Sequence, residues 1–308
     1  MAVVTTDFLA GVMTEFRAIW ADAFLAALGP TFYPRVAMEI PSNTLTETYN
    51  WLGDVPVMRE WVDERQHGGL ASYNYSLTNR HYESSIEVDR DTFEDDRLGM
   101  IAPRIKQLGM EVPRFIENTM VNLLVNGAVS GNNSYDGVTF YSASHVIGSP
   151  TQAAQTNLYT GTGVTLATIQ ADFSGAKAQM RKVKDGEGRP MNILADFVLV
   201  APENEQVFSQ MLNASFIPAG SISAPMANTF VGQADMGVSP YVTTATWHLL
   251  STKFAMKPLI FQNRKAPEFA GVTDPSAYVV YNHRKFQYGV DCRFAGGYGS
   301  WEMAIKVA

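Results

Sequence analysis

Apolar residues recur at spacings of three and four near the start of the chain. Phe8, Val12, Phe16, Ile19 and Ala23 mark one face of an amphipathic helix over residues 5–28. Gly29-Pro30 ends it. The next segment, Phe32 to Asn43, carries Pro34 and Pro41 and is expected to be an extended connector. From Thr44 to Val88 the period changes to two. Tyr73, Tyr75 and Leu77 alternate with polar residues and Ser84 to Val88 repeat the alternation, which predicts strands. A charged stretch, Met58-Arg59-Glu60-Trp61-Val62-Asp63-Glu64-Arg65, and then His67-Gly68-Gly69 interrupt them. A ribbon with so few core positions is marginal alone, so it must lie on its own domain or on a neighbour.

The longest helical pattern covers residues 93–127. Leu98, Ile101, Ile105, Leu108, Val112, Phe115, Thr119 and Leu123 form a narrow apolar stripe. Gly99, Pro103, Gly109 and Pro113 interrupt it, so a kink or break is expected. Residues 128–163 are rich in Gly, Ser, Asn and Thr and read as loop. A second block follows: a helix over Leu166–Val183, a turn at Asp185–Gly188, a buried strand over Phe197–Ala201 and a helix over Glu203–Leu212. Strands are expected at Val238–Val242, Trp247–Leu250, Leu259–Gln262, Ala277–Tyr281, Tyr288–Phe294 and Glu302–Val307. Strands near both ends around a middle α/β block suggest a discontinuous domain with another inserted into it.

Composition narrows the function. The chain has 308 residues, 46% hydrophobic and 17% charged. Charged residues are scarcer than the roughly 25% of ordinary globular chains, as expected where neighbouring subunits cover the surface. The net charge of −7 lacks the basic footprint of a nucleic-acid binder. Seven acidic residues against two arginines, a net of −5, fall between Glu83 and Arg97. Cys292 is the only cysteine, which excludes an internal disulfide or a thiolate metal cluster. The first residues carry Asp7 and no basic n-region, so they do not read as a signal peptide. No apolar run approaches the roughly 20 residues of a membrane span.

Candidate chemistry is thin. The acidic run Glu87, Asp89, Asp91, Glu94, Asp95, Asp96 would need Gly and Glu at the sixth and twelfth positions of a calcium loop, where it has Glu94 and Met100. An acidic lead into a helix explains it better. His81-Tyr82-Glu83 matches half of a zinc-deaminase signature whose cysteines are missing. The five histidines form no H-E-x-x-H pair, and G-x-S-x-G is absent. Gly296-Gly297-Tyr298-Gly299-Ser300 reads as a turn between C-terminal strands, and Cys292 as a small buried hydrophobe. No catalytic, cofactor or metal residue is assigned.

A set of short motifs carries a resemblance. Tyr49-Asn50-Trp51-Leu52-Gly53, Met58-Arg59-Glu60-Trp61, Tyr82-Glu83, Val88 to Asp91 and Phe93 to Gly99 come first. Leu123-Leu124-Val125-Asn126-Gly127, Tyr135-Asp136-Gly137, Phe140 and His145 follow. Gly188-Arg189-Pro190, the step from Phe197 to Glu203, and Lys257 to Gln262 with Arg264 and Pro267 complete it. In this order, from about Tyr49 to Phe269, they resemble the major head subunits of Mu-like phages. One departure is Tyr141-Ser142-Ala143-Ser144-His145, where the family tends to have Asp before the His. Asn213 to Gly237 matches nothing familiar.

The resemblance implies an α+β tailed-phage capsid fold of the Hong Kong 97 type. It would place an N-terminal arm at 1–43, an extended loop with its supporting strands at 44–88, and a peripheral domain with a long spine helix at 89–163. An axial domain would span 164–255, with C-terminal strands at 256–308 returning to the peripheral domain. It further implies a homo-oligomer of hexamers and pentamers closing around double-stranded DNA without sequence-specific binding. A scaffold and a decoration protein would be partners, and assembly would take place in the host cytoplasm, with no membrane involved. Met58, Arg59, Trp61, Glu64 and Arg65 are the expected inter-subunit contacts, since interfaces favour aromatic and Arg residues. The alternatives are a two-domain α/β enzyme of unrecognised type and a nanocompartment shell enclosing a protein cargo.

Overall fold

The computed structural model describes residues 6–50, 75–91, 99–147, 153–219 and 222–308. Two helices and two sheets organise them. Helix α1 (Thr6–Leu28) buries Leu9, Val12, Phe16, Trp20 and Ala23, while Phe8 and Ile19 lie on its flanks. A one-turn helix α2 (Tyr33–Val36) and strand β1 (Ala37–Pro41) occupy the expected connector. Pro34 sits in the first helical turn and Pro41 ends an edge strand, positions where proline's missing N–H costs nothing.

The long helix, α3, runs unbroken from Ile101 to Asn126 with Pro113 inside it, so no break occurs. Pro103 falls in the first turn, where its N–H would be unpaired anyway. The buried stripe begins as expected at Ile101, Ile105, Leu108 and Val112, then passes to Ile116, Met120 and Leu124. The expected Phe115, Thr119 and Leu123 drift off the seam because a straight helix turns every 3.6 residues, not 3.5. Helices α1 and α3 cross at Gly109, where a Cβ would stand 2.6 Å from the Trp20 carbonyl oxygen.

The first sheet has the order β1, β11 (Leu259–Val272), β12 (Lys285–Tyr298) and β4 (Arg80–Asp89), antiparallel except for β1 beside β11. Along β12, Phe286, Tyr288, Val290, Cys292 and Phe294 are buried in strict alternation. They face the helices, with Phe16 packing 5.3 Å from Tyr288 and Phe115 6.1 Å from Phe294, ring centre to ring centre. A two-stranded ribbon, β2 (Thr46–Tyr49) with β3 (Tyr75–Thr78), roots on this sheet. Tyr49 donates to Gln262 at 2.6 Å, and the Tyr75 oxygen accepts from the Tyr298 N–H at 2.8 Å. The base of the expected extended loop therefore lies on its own subunit.

The second sheet has the order β5 (Leu158–Tyr159), β13 (Ala304–Val307), β10 (Trp247–Leu250), β6 (Phe197–Val200) and β9 (Asp235–Val238). Every residue of β6 and β10 is buried, as inner strands covered on both faces require. Helix α4 (Leu166–Lys182), with a Thr165/Thr168 capping box and Arg181 and Lys182 in its last turn, packs beside α5 (Glu205–Asn213). Phe173 and Phe208 meet Trp247 at 6.5 and 5.3 Å. A hairpin, β7 (Phe216–Ala219) with β8 (Ile222–Ala227), fills part of the unmatched stretch after Asn213.

Three expectations need correction. Strand β9 ends at Val238 and does not extend to Val242, because Pro240 cannot join the ladder. Ala277–Tyr281 is not a strand. Helix α6 (Tyr278–His283) turns the β11–β12 hairpin and closes on Arg284 in the left-handed region at φ 53. Residues 256–308 do not return as one block to the first sheet, for β13 pairs with β10 and β5 in the second. The short helical turn Trp301–Met303 redirects the chain there, where Ala304, Ile305 and Val307 are buried.

Candidate functional site

The motif residues meet in three places, and each meeting is a structural anchor. At the first, Gln262 accepts from Tyr49 through Oε1 and donates through Nε2 to Asn79 Oδ1 at 2.7 Å, joining the ribbon to β11. All three residues are buried, and a buried amide left unpaired would cost about 1–3 kcal/mol.

The second lies at the end of α3. Phe140 stacks on Tyr298 at 4.7 Å, and Tyr298 donates to the Leu123 carbonyl at 2.9 Å. A Cβ at Gly127 would collide with the Tyr141 ring, so the Asn126-Gly127 motif ends in glycine for reasons of space. Tyr141 in turn lies 2.9 Å from Nδ1 of the buried His248, whose pKa is pushed down to about 3 by desolvation and by Lys306.

The third gathers Tyr135, Asp136 and His145 against Trp301 and Glu302. The His145 ring stacks on Trp301 at 3.9 Å and donates through Nδ1 to Asp136 at 2.6 Å. Glu302 accepts from Tyr135 and from Ser300, and burial raises its pKa. In this chain the carboxylate that His145 meets belongs to Asp136. The His145–Asp136 pair resembles a catalytic dyad in composition only. Its side chains are 0% and 3% exposed, which leaves no path for a substrate.

The other candidates disperse. Glu87 pairs with Lys285 at 2.7 Å and Asp91 with Arg284 at 2.5 Å, so these acids are neutralised one by one. Glu94, Asp95 and Asp96 lie outside the described residues. No group of three or more metal-ligating side chains occurs among the described residues. His81 points to Asp291 at 3.2 Å, away from any zinc-like set. Cys292 is buried, and desolvation pushes its thiol up to about 11. Gly296 and Gly297 lie inside β12, and the turn begins only at Gly299. Met58, Arg59, Trp61, Glu64 and Arg65, the expected contact residues, lie outside the described residues, as do Trp51 and Tyr73.

Sequence reasoning missed a cluster that joins the two sheets. Arg35 on α2 reaches Asp196 at 3.0 Å, Asp235 at 2.5 Å and Thr252 at 3.0 Å. Its partners are as many as 217 positions away, so no local pattern announces them. It also missed the surface aromatics Tyr278 and Tyr281, 72% and 77% exposed at the tip of the β11–β12 hairpin, because it assigned them to a strand. Phe216 and Met226, 64% and 56% exposed, lie at the open base of the β7–β8 hairpin, away from its tip. Large apolar side chains on protruding tips are features of interaction surfaces. No helix among the described residues is long and apolar enough to cross a membrane.

Known proteins match this chain along its length. The family described as Mu-like prophage major head subunit gpT matches residues 9–169, 164–242 and 241–308. The Mu-like prophage FluMu major head subunit of Haemophilus influenzae is 26% identical over 100% of this chain and 75% of its own length. The major capsid protein of Escherichia phage Mu is 26% identical over 99% of this chain and 75% of its own. The procapsid of bacteriophage JBD30 superimposes with a TM-score of 0.58 at 25% identity, covering 98% of this chain and 75% of that one. A virus-like particle from Pyrococcus furiosus shares the fold at 7% identity and a TM-score of 0.56, over 96% and 98% of the two chains. The fold is the α+β fold of tailed-phage capsids, and the enzyme alternative falls away. The chain belongs to the Mu-like major head subunit family, a structural capsid protein that assembles with copies of itself.

Proposed function

We propose that this subunit forms hexamers and pentamers that close into an icosahedral head around double-stranded DNA. The observation that carries the reading is the family match, which runs from residue 9 to residue 308 of the chain. Mechanism here is geometric. Each contact between neighbours recurs throughout a shell, so modest free energies per interface suffice for cooperative closure. The net charge of −7 suits a container that encloses DNA without gripping it.

In this reading residues 1–43 act as an arm, 44–88 as the extended loop and 89–163 as the peripheral domain with α3 as its spine. Residues 164–255 act as the axial domain, joined by β13, with β11 and β12 completing the peripheral sheet. Met58, Arg59, Trp61, Glu64 and Arg65 make the loop's contacts with the next subunit. Assembly proceeds in the host cytoplasm with a scaffold. A decoration protein is a further partner, since a similar JBD30 capsid, 20% identical with a TM-score of 0.54, is decorated with minor capsid protein trimers.

Negative-stain electron microscopy of the purified protein, with sedimentation alongside, tests the proposal. Rings, tubes or closed shells with fivefold and sixfold units are expected. A uniform monomer, both alone and when co-expressed with the neighbouring head genes, would overturn it.

A further inference from the structure

We infer that Arg35 is the positioning residue that locks the two sheets of this subunit at one mutual orientation, with Phe32–Arg35 as the pivot between them. That segment is gripped from both sides. From the first side, the Glu117 carboxylate on α3 accepts the backbone N–H of Phe32 at 3.2 Å and of Tyr33 at 2.9 Å. From the second, Asp196 accepts Arg35 Nη2 at its carboxylate, 3.0 Å, and at its carbonyl, 3.2 Å. Nε donates to Thr252 at 3.0 Å and Nη1 to Asp235 at 2.5 Å, with the guanidinium 5.0 Å from the centre of the Phe197 ring. Asp196 is held in turn by the Thr252 N–H at 2.6 Å and hydroxyl at 2.7 Å.

This geometry needs arginine. A rigid fork of donors spans acceptors on three separate backbone segments at once, where a lysine ammonium would satisfy only part of the set. The Asp196 side chain is 8% exposed, so withdrawing its cation strands a carboxylate in poorly hydrated surroundings. Beside the pivot there is room to move. A cavity of about 710 Å³ opens between α1, α3 and the loop after β9, walled by Pro30, Phe32, Lys106, Arg114 and Tyr241. Close-packed interiors resist displacement, but a gap on one side of the pivot leaves the second sheet room to move toward α3 there. The value of such a lock rests on the shell reading above: a lattice built from one chain requires a subunit that holds a defined inter-sheet angle.

Spin labels on Lys106→Cys and Tyr241→Cys, on facing walls of the cavity, read that angle in the full chain by pulsed electron resonance. Cys292 is 6% exposed and stays unlabelled. With Arg35 intact a single narrow distance distribution is expected. R35M broadens it by about twofold or adds a second peak, as release of a rigid-body coupling would. R35K, which keeps the charge and lacks the fork, falls between. Parental width in both variants, or in R35K if R35M does not fold, overturns the inference. The measurement uses unassembled subunits, so a parent chain that never forms shells would count against the shell reading and leave the distance result standing.

Discussion

At the scale of single residues, two buried side chains beside the motif anchors, His248 and Glu302, titrate unusually because they are desolvated. His248 is held neutral, its pKa pushed down to about 3 by desolvation and then by Lys306. In the unfolded chain it titrates near the ordinary value of about 6.5. The stability it contributes is therefore present above pH ~6.5 and lost as pH falls toward 3, at up to about 1.4 kcal/mol per unit. Glu302 has the opposite sign. Burial raises its pKa, so its contribution is complete below the ordinary carboxylate range and lost as pH rises through the raised value. His248→Gln removes only the first effect. Denaturant unfolding between pH 7 and 4 should show the parent losing stability more steeply than the variant, the gap narrowing as pH falls. Parallel curves would contradict a neutral buried imidazole.

Among the elements, the α1–α3 crossing is the most sharply constrained. Helix propensity alone favours Gly109→Ala by roughly 1 kcal/mol. Space opposes it, because the new Cβ would lie 2.6 Å from the Trp20 carbonyl oxygen and 3.0 Å from the Ala23 Cβ. Both are parts of a packed helix and cannot swing aside as a side-chain tip can. Overpacking of this kind costs about 1–3 kcal/mol, so packing outweighs propensity. The variant should melt several degrees below the parent in a thermal scan, and a higher melting temperature would show that the helices slide apart freely. The element boundaries follow the same logic. Leu166–Lys182 and Trp247–Leu250 were readable from pattern because one face or a whole strand is buried. Tyr278–His283 was not, because only Val280 in it is buried and the alternation of its aromatics has no core to match.

For the whole molecule, the ribbon β2–β3 has a secure base on the first sheet. Its root is tied by hydrogen bonds of Tyr49 to Gln262, Gln262 to Asn79 and the Tyr298 N–H to Tyr75. Deleting 58–69 should leave a subunit whose circular dichroism and unfolding midpoint match the parent, yet which forms no closed shells by electron microscopy. Normal particles from the deletion would remove the loop from the assembly mechanism, and a misfolded subunit would show that the loop belongs to the core.

The sequence by itself determined the family, the mixed α+β class, the long helix and most of the buried strands. Those properties are written in local periodicity and in short motifs whose order survives along the chain. Tertiary structure alone decided which motif residues meet. Asp136 serves His145, Gln262 serves Tyr49, and Trp301 with Glu302 closes a knot begun at Tyr135. It also decided that β13 leaves the first sheet for the second, and that Arg35 clasps residues some 160 to 220 positions away. The physical reason is common to all of these. Periodicity records only which face of an element is buried, whereas the partner across the core is selected by chain connectivity, shape and the need to satisfy each buried charge and hydrogen bond.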